Sequence, residues 1–142
     1  MFELHPRLAA DTRVVGDLPL CRVLLSRDSQ YPWLILVPRI AQLREIHHLG
    51  EADQQQLMRE SCAVAAVMEA SLHPDKINVG ALGNLVPQLH LHHVARFACD
   101  AAWPGPIWGA KPPQPYSEAQ LEPQVALWRE RLAGVDGFIP AQ

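Results

Sequence analysis

The chain has 142 residues, 49% of them apolar and 19% charged. That balance suits one globular domain hiding about 70% of its extended surface, and it excludes a disordered chain. The net charge is −3 and the basic residues that stand out (Arg22, Arg27, Arg39, Arg96) are scattered singly, so a duplex nucleic-acid face is excluded.

In chain order, the opening residues "MFELHPRLAADT" carry no apolar run, so no signal peptide is expected, and no later apolar stretch is long enough to span a bilayer. Leu20–Ser26, "LCRVLLS", reads as a strand. Pro32–Arg39, "PWLILVPR", is an apolar run bounded by prolines and reads as a second, buried strand. Ile40, Leu43, Ile46 and Leu49 recur at steps of three and predict a short helix closed by Gly50. The clearest helix follows from Glu51, with Leu57, Ser61, Val64, Met68 and Leu72 on one stripe and His73-Pro74-Asp75 ending it. Lys76–Gly83 and Gln88–Arg96 are expected as two strands of an antiparallel hairpin, joined by a tight link.

Phe97–Tyr116 holds five of the thirteen prolines and two of the four tryptophans, so it is expected to be irregular and to run over the surface. "SEAQLEPQVALWRERLAG" predicts a last helix, started by Ser117 as its cap or by Pro123 in its first turn. Three cysteines, Cys21, Cys62 and Cys99, are widely spaced with no CxxC pair. They fit a reducing cytoplasm better than a disulfide framework, and Cys21 and Cys62 read as buried apolar residues.

The densest chemistry lies in "QLHLHHVAR", where three of the seven histidines fall within four positions. Strand alternation puts Gln88, His90, His92 and Val94 on one face and Leu89, Leu91, His93 and Ala95 on the other. His90 and His92 then project side by side, about 6.5 Å apart along the strand, while His93 reads as a core histidine. Three readings of the pair stay open on this ground: hydrogen-bonded structural imidazoles, two ligands of a metal needing a third from elsewhere, or a nucleophile with a hydrogen-bonding partner. His47-His48 reads as a helix-end pair. Trp103 and Trp108 read equally as base-stacking platforms or as anchors of the proline-rich segment.

"QLHLHHVARF" resembles the signature strand of the histidine triad (HIT) superfamily, in which histidines alternate with apolar residues. "PWLILVPR", "KINVGALGN" and "AAWPGPIWG" fall in the family's order, and the likeness, to a bacterial HIT-domain hydrolase, covers roughly residues 21–108. It implies an α+β fold: a HIT-like antiparallel five-stranded sheet with helices packed on one face. One domain is expected over 1–142, with a core at about 20–108 and a proline-rich segment and helix at 109–134. It further implies a nucleotide hydrolase or nucleotidyl transferase that attacks an α-phosphate, with His90 as nucleophile and His92 contacting the phosphate oxygens or helping the leaving group. Gln88 stands where the family's first histidine would be and is expected to support the site. Gly83, Asn84 and Leu85 are expected near the phosphate, and Trp103 near the base. Leu82 stands where many members carry a ligand-contacting Asn, for which Asn78 and Asn84 are alternatives. No cofactor or metal is required by this chemistry, the expected partner is a nucleotide or dinucleotide, and the expected assembly is a homodimer. The alternatives are a weakly catalytic nucleotide- or partner-binding module and, further off, a metal-dependent hydrolase.

Overall fold

The structure, a computed structural model, describes residues 1–142. Its elements are α1 (Pro6–Asp11), β1 (Thr12–Asp17), β2 (Cys21–Ser26), β3 (Trp33–Pro38), a single 3-10 turn (Ile46–His48), α2 (Glu51–Leu72), β4 (Lys76–Gly80), β5 (Leu91–Arg96), α3 (Glu118–Leu132) and β6 (Ile139–Pro140). The strands form one antiparallel sheet in the order β4-β5-β3-β2-β1-β6. The fold is α+β, as expected, with six strands where five were expected. The sixth, β6, is two residues long and packs its backbone against Gly16, where a Cβ would lie 2.5 Å from the Ile139 carbonyl oxygen. Only glycine permits that approach.

The two long helices lie on one face of the sheet, α2 over β5 and α3 over β1. Alternation along the strands supplies the partners: Val15, Val23, Leu25, Leu34, Leu36, Leu91 and Ala95 meet Leu57, Val64 and Met68 of α2 and Leu121, Val125 and Trp128 of α3 in one buried core. The Met68 stripe is therefore core. Ser117 caps α3 with its hydroxyl and, with Gln120, closes a capping box; Pro123 lies inside the helix. His73 adopts the left-handed conformation and ends α2.

The opposite face carries His92 and is covered by irregular chain. Leu8 of α1 packs there with Leu24, Ile35, Val37 and Val86. Tyr31, Val94 and Ile107 form a second small cluster under the proline-rich segment.

Three expectations are corrected, and one strand, β1, lies where none was expected. Residues 40–49 form no helix beyond the single 3-10 turn. Gln42 there has φ +59°, and the Leu43 carbonyl accepts a bond from Leu89 N–H, so this backbone is committed to the loop that leads into β5. The strand expected over Lys76–Gly83 stops at Gly80, and the one expected from Gln88 begins at Leu91, so the link between them is a loop of residues 81–90. Strand β1, Thr12–Asp17, was hidden in a mixed-polarity stretch. Cys62 is exposed on α2 rather than buried; Cys21 is buried and Cys99 exposed.

Candidate active site

His92 leaves the sheet on the face away from the long helices, opposite Ile35 of β3 and Gly80 of β4. His90 precedes β5, yet its ring still stands beside that of His92, with centroids 4.9 Å apart and planes at 74°. Both are buried, at 6% and 7% exposure. His93 points the other way and is fully buried in the core. Ser61 of α2 donates its hydroxyl hydrogen to His93 Nε2 at 2.7 Å, and His93 Nδ1 donates to the Leu91 carbonyl at 3.2 Å. His93 thus joins α2 to β5, the core role expected of it.

The bonding partners decide where the protons sit on the neutral rings. His90 Nδ1 lies 2.7 Å from the Gln88 carbonyl oxygen. A carbonyl only accepts, so Nδ1 carries the hydrogen and Nε2 presents a lone pair. His92 Nδ1 lies 3.0 Å from Trp33 Nε1. An indole nitrogen only donates, so His92 Nδ1 accepts and its hydrogen sits on Nε2. Two adjacent imidazoles therefore present opposite atoms from the same ring position: an electron pair on His90 and an N–H on His92.

The surroundings keep His92 uncharged. Burial, with smaller contributions from the neighbouring His90 and His93, lowers its pKa from the usual 6.5 to about 3. Burial lowers that of His93 to about 4, against a small opposing effect of the Leu91 carbonyl. Trp33 and Trp108 flank the His92 ring at 5.5 Å and 5.4 Å between centroids. Trp108 rests on Gly80, where a Cβ would be 3.4 Å from the indole, and its Nε1 is buried with no protein acceptor.

The other expected residues are placed as follows. The Gln88 side chain is bonded to the N-terminal segment: its Oε1 accepts from His5 N–H at 2.8 Å and its Nε2 donates to the Glu3 carbonyl at 2.9 Å. Gly83, Asn84 and Leu85 lie in the loop before β5, with Gly83 at φ +72° and Asn84 and Leu85 exposed. Leu82 is exposed in the same loop. Trp103 stacks 5.7 Å from the Arg96 guanidinium, so of the two tryptophans in this segment it is Trp108 that touches the histidine pair. Asn78 accepts from Arg96 Nη1 at 2.8 Å. His47 and His48 are exposed and contact each other. No group of three His, Cys, Asp or Glu side chains comes together as a metal cage.

Three contributors were not read from the sequence. Trp33 shares a strand face with Ile35, and once β3 is known to neighbour β5 this alternation puts its indole beside His92. Arg96 and Asp100, at 2% and 7% side-chain exposure, form a clasp with contacts of 2.8 Å and 3.0 Å. Asp100 also accepts the backbone N–H groups of Phe97, Ala102 and Trp103, so the pair fixes the start of the tryptophan-bearing segment. Glu60, buried on α2, accepts from the N–H groups of Leu20 and Cys21 and pins the β1–β2 turn. Burial, aided by the Glu60 carboxylate, pushes the Cys21 thiol far up and leaves it unreactive.

Comparison with known proteins identifies the family and the fold. No curated protein matches the chain significantly. Its fold and sequence are similar to a histidine triad protein from Marinobacter aquaeolei VT8 (51% identity, TM-score 0.90, covering 94% of this chain and 97% of that one). They are similar also to a histidine triad protein from Bradyrhizobium japonicum (45% identity, TM-score 0.87, covering 92% and 97%). The fold alone is shared with a histidine triad nucleotide-binding protein from Sulfolobus tokodaii strain7 (13% identity, TM-score 0.66, covering 87% and 85%). The HIT domain family model matches residues 7–99, more than half of the chain. The chain belongs to the histidine triad family.

Proposed function

We propose that this protein is a nucleotide hydrolase or nucleotidyl transferase that attacks the α-phosphate of a nucleoside phosphate derivative through His90. The observation that carries the reading is the opposed pair of tautomers. His90 Nε2 offers an electron pair for attack on phosphorus, and His92 Nε2–H stands beside it to bond a phosphoryl oxygen. In the first step the His90 Nε2 pair forms the N–P bond as the P–O or P–N bond to the leaving group breaks. The Gln88 carbonyl keeps the Nδ1 hydrogen and steadies the positive charge on the imidazole. In the second step water or another acceptor attacks phosphorus, loses a proton to solvent, and returns the electron pair to His90.

His92 acts here as a neutral hydrogen-bond donor. Its Nδ1 is held by an indole that cannot accept a proton, so giving up the Nε2 hydrogen would leave an anion. The leaving group takes its proton from water. Assembly as a homodimer belongs to the same reading, as does a reducing compartment such as the cytoplasm for a chain with three unpaired cysteines. No helix is long and apolar enough to cross a membrane.

The test is a panel of nucleoside phosphoramidates, dinucleoside polyphosphates and nucleotide sugars, followed by chromatography, with rapid quench and peptide mapping. The expected result is release of a nucleoside monophosphate and an acid-labile nucleotidyl adduct on His90, with turnover reduced by several orders of magnitude in His90→Ala. An adduct on His92, full activity in His90→Ala, or no product from any substrate would refute it.

A further inference from the structure

Gln88 is bonded in two directions. Its main-chain carbonyl holds the His90 Nδ1 hydrogen, while its side-chain amide holds the N-terminal arm through both Glu3 and His5. The arm matters because of where it lies. In register across the sheet, His92 neighbours Ile35, Ile35 neighbours Leu24, and Leu24 neighbours Val14. This row is an apolar strip running away from the histidine pair. Its Leu24 and Ile35 belong to the buried cluster on which Phe2 and Leu4 of the arm pack, and together with Val14 and Trp33 these two form a half-exposed apolar rim around that cluster. Trp33 is the member of that rim that bonds His92. The arm therefore supplies two of the four members of a rim that reaches the histidine pair at Trp33 and extends to Phe2 beside Arg22 of β2, and the only side-chain hydrogen bonds to its main chain before α1 come from Gln88.

We infer that Gln88 is a positioning residue that acts through the arm. Its amide holds Phe2 and Leu4 in place as the wall against which the planar base of the nucleotide rests. The inference rests on the nucleotide reading above and assigns the base to this side of His92. It separates the two bonds of Gln88 by function. Any residue at 88 supplies the carbonyl that sets the nucleophile's tautomer, whereas only a side chain that donates and accepts at once holds the arm.

The experiment compares the full chain with Gln88→Ala and with a chain lacking Phe2–Leu4, using calorimetric binding of AMP and of GMP, steady-state kinetics, and hydrogen exchange at the His5 amide. The expected result is a protected His5 amide in the full chain and an unprotected one in Gln88→Ala. KM and the dissociation constants should rise on the order of tenfold in both variants, with kcat within about twofold, and the combined variant should be no worse than either. A fall in kcat in Gln88→Ala that the arm deletion does not reproduce would give the amide a direct part in the chemistry and overturn the inference. So would an exposed His5 amide with undiminished binding, which leaves the nucleotide reading standing. Failure of the full chain to bind either nucleotide, with the His5 amide protected, would sink the nucleotide reading and the assignment of the base with it.

Discussion

At the scale of single residues, the site depends on which atom of each imidazole carries hydrogen. Trp33→Phe keeps the aromatic ring but removes the donor to His92 Nδ1. The ring is then free to place its hydrogen on either nitrogen, and kcat should fall about tenfold or more. Nitrogen NMR of the His92 ring should change from one tautomer to a mixture; a variant that kept a single Nε2–H tautomer and full activity would discard this role. The same burial that keeps His92 and His93 neutral has a cost for folding. Their folded pKa values, about 3 and about 4, lie below the usual 6.5, so the unfolded chain binds more protons between those limits. Their contribution to stability is complete above about pH 6.5 and is lost progressively as pH falls toward 3. Urea unfolding at pH 7, 5.5 and 4.5 should show a steady decline, shallower in His93→Gln. A flat profile over that range would contradict the buried, neutral state of the pair.

At the scale of elements, the tryptophan-bearing segment after β5 is held by one buried ion pair. Arg96 and the N–H groups of Phe97, Ala102 and Trp103 hold the Asp100 carboxyl at about 2, below the ordinary 3.8, so the clasp is complete above that ordinary value and fails only as pH falls through about 2. Asp100→Asn leaves the Arg96 charge buried without its counter-ion and should cost about 3 kcal/mol. Denaturant titration measures the loss, and proteolysis should open the chain between Ala98 and Lys111; unchanged stability would show that the clasp contributes nothing. The sequence disclosed those elements whose pattern is local. The α2 stripe and the proline-bounded run of β3 are of this kind, and the alternation at Leu91–Arg96 separated His92 from His93 correctly. The apolar period over residues 40–49 misled, because the Leu43 carbonyl is committed to Leu89, a partner distant in sequence. Strand β1 was missed for a related reason: "TRVVGD" acquires its strand character from β2 and β6 on either side. In the site, the histidine pair was legible but its settings were not: Trp33 reaches His92 only through the β3–β5 pairing and the arm only through Gln88, 83 and 85 positions away, while Arg96–Asp100 is local in sequence and carries no pattern that marks it as a buried pair.

At the scale of the whole molecule, the two edges of the sheet differ. One ends in the two-residue β6. The other is β4, whose outer side has no strand partner, with Val79 and Leu82 exposed at 49% and 48% beside it. Open edges flanked by apolar side chains are usually paired, and a symmetric dimer would bury this one. Light scattering should give twice the chain mass at micromolar concentration, and Val79→Lys should shift the population toward monomer. A monomer mass for the unmodified chain across that range would exclude the assembly.

The two indoles against His92 have an optical consequence. Imidazolium quenches indole emission by contact more strongly than neutral imidazole does, and His92 stays neutral down to about pH 3. Trp33 and Trp108 should therefore remain bright through the neutral range and dim only in acid, while Trp128, next to Arg131 on the far face of the sheet, is blind to the site. A ligand bound at the histidine pair should alter the emission of Trp33 and Trp108, which flank His92, and leave that of Trp128 unchanged, an intrinsic fluorescent gauge of occupancy with no label to attach.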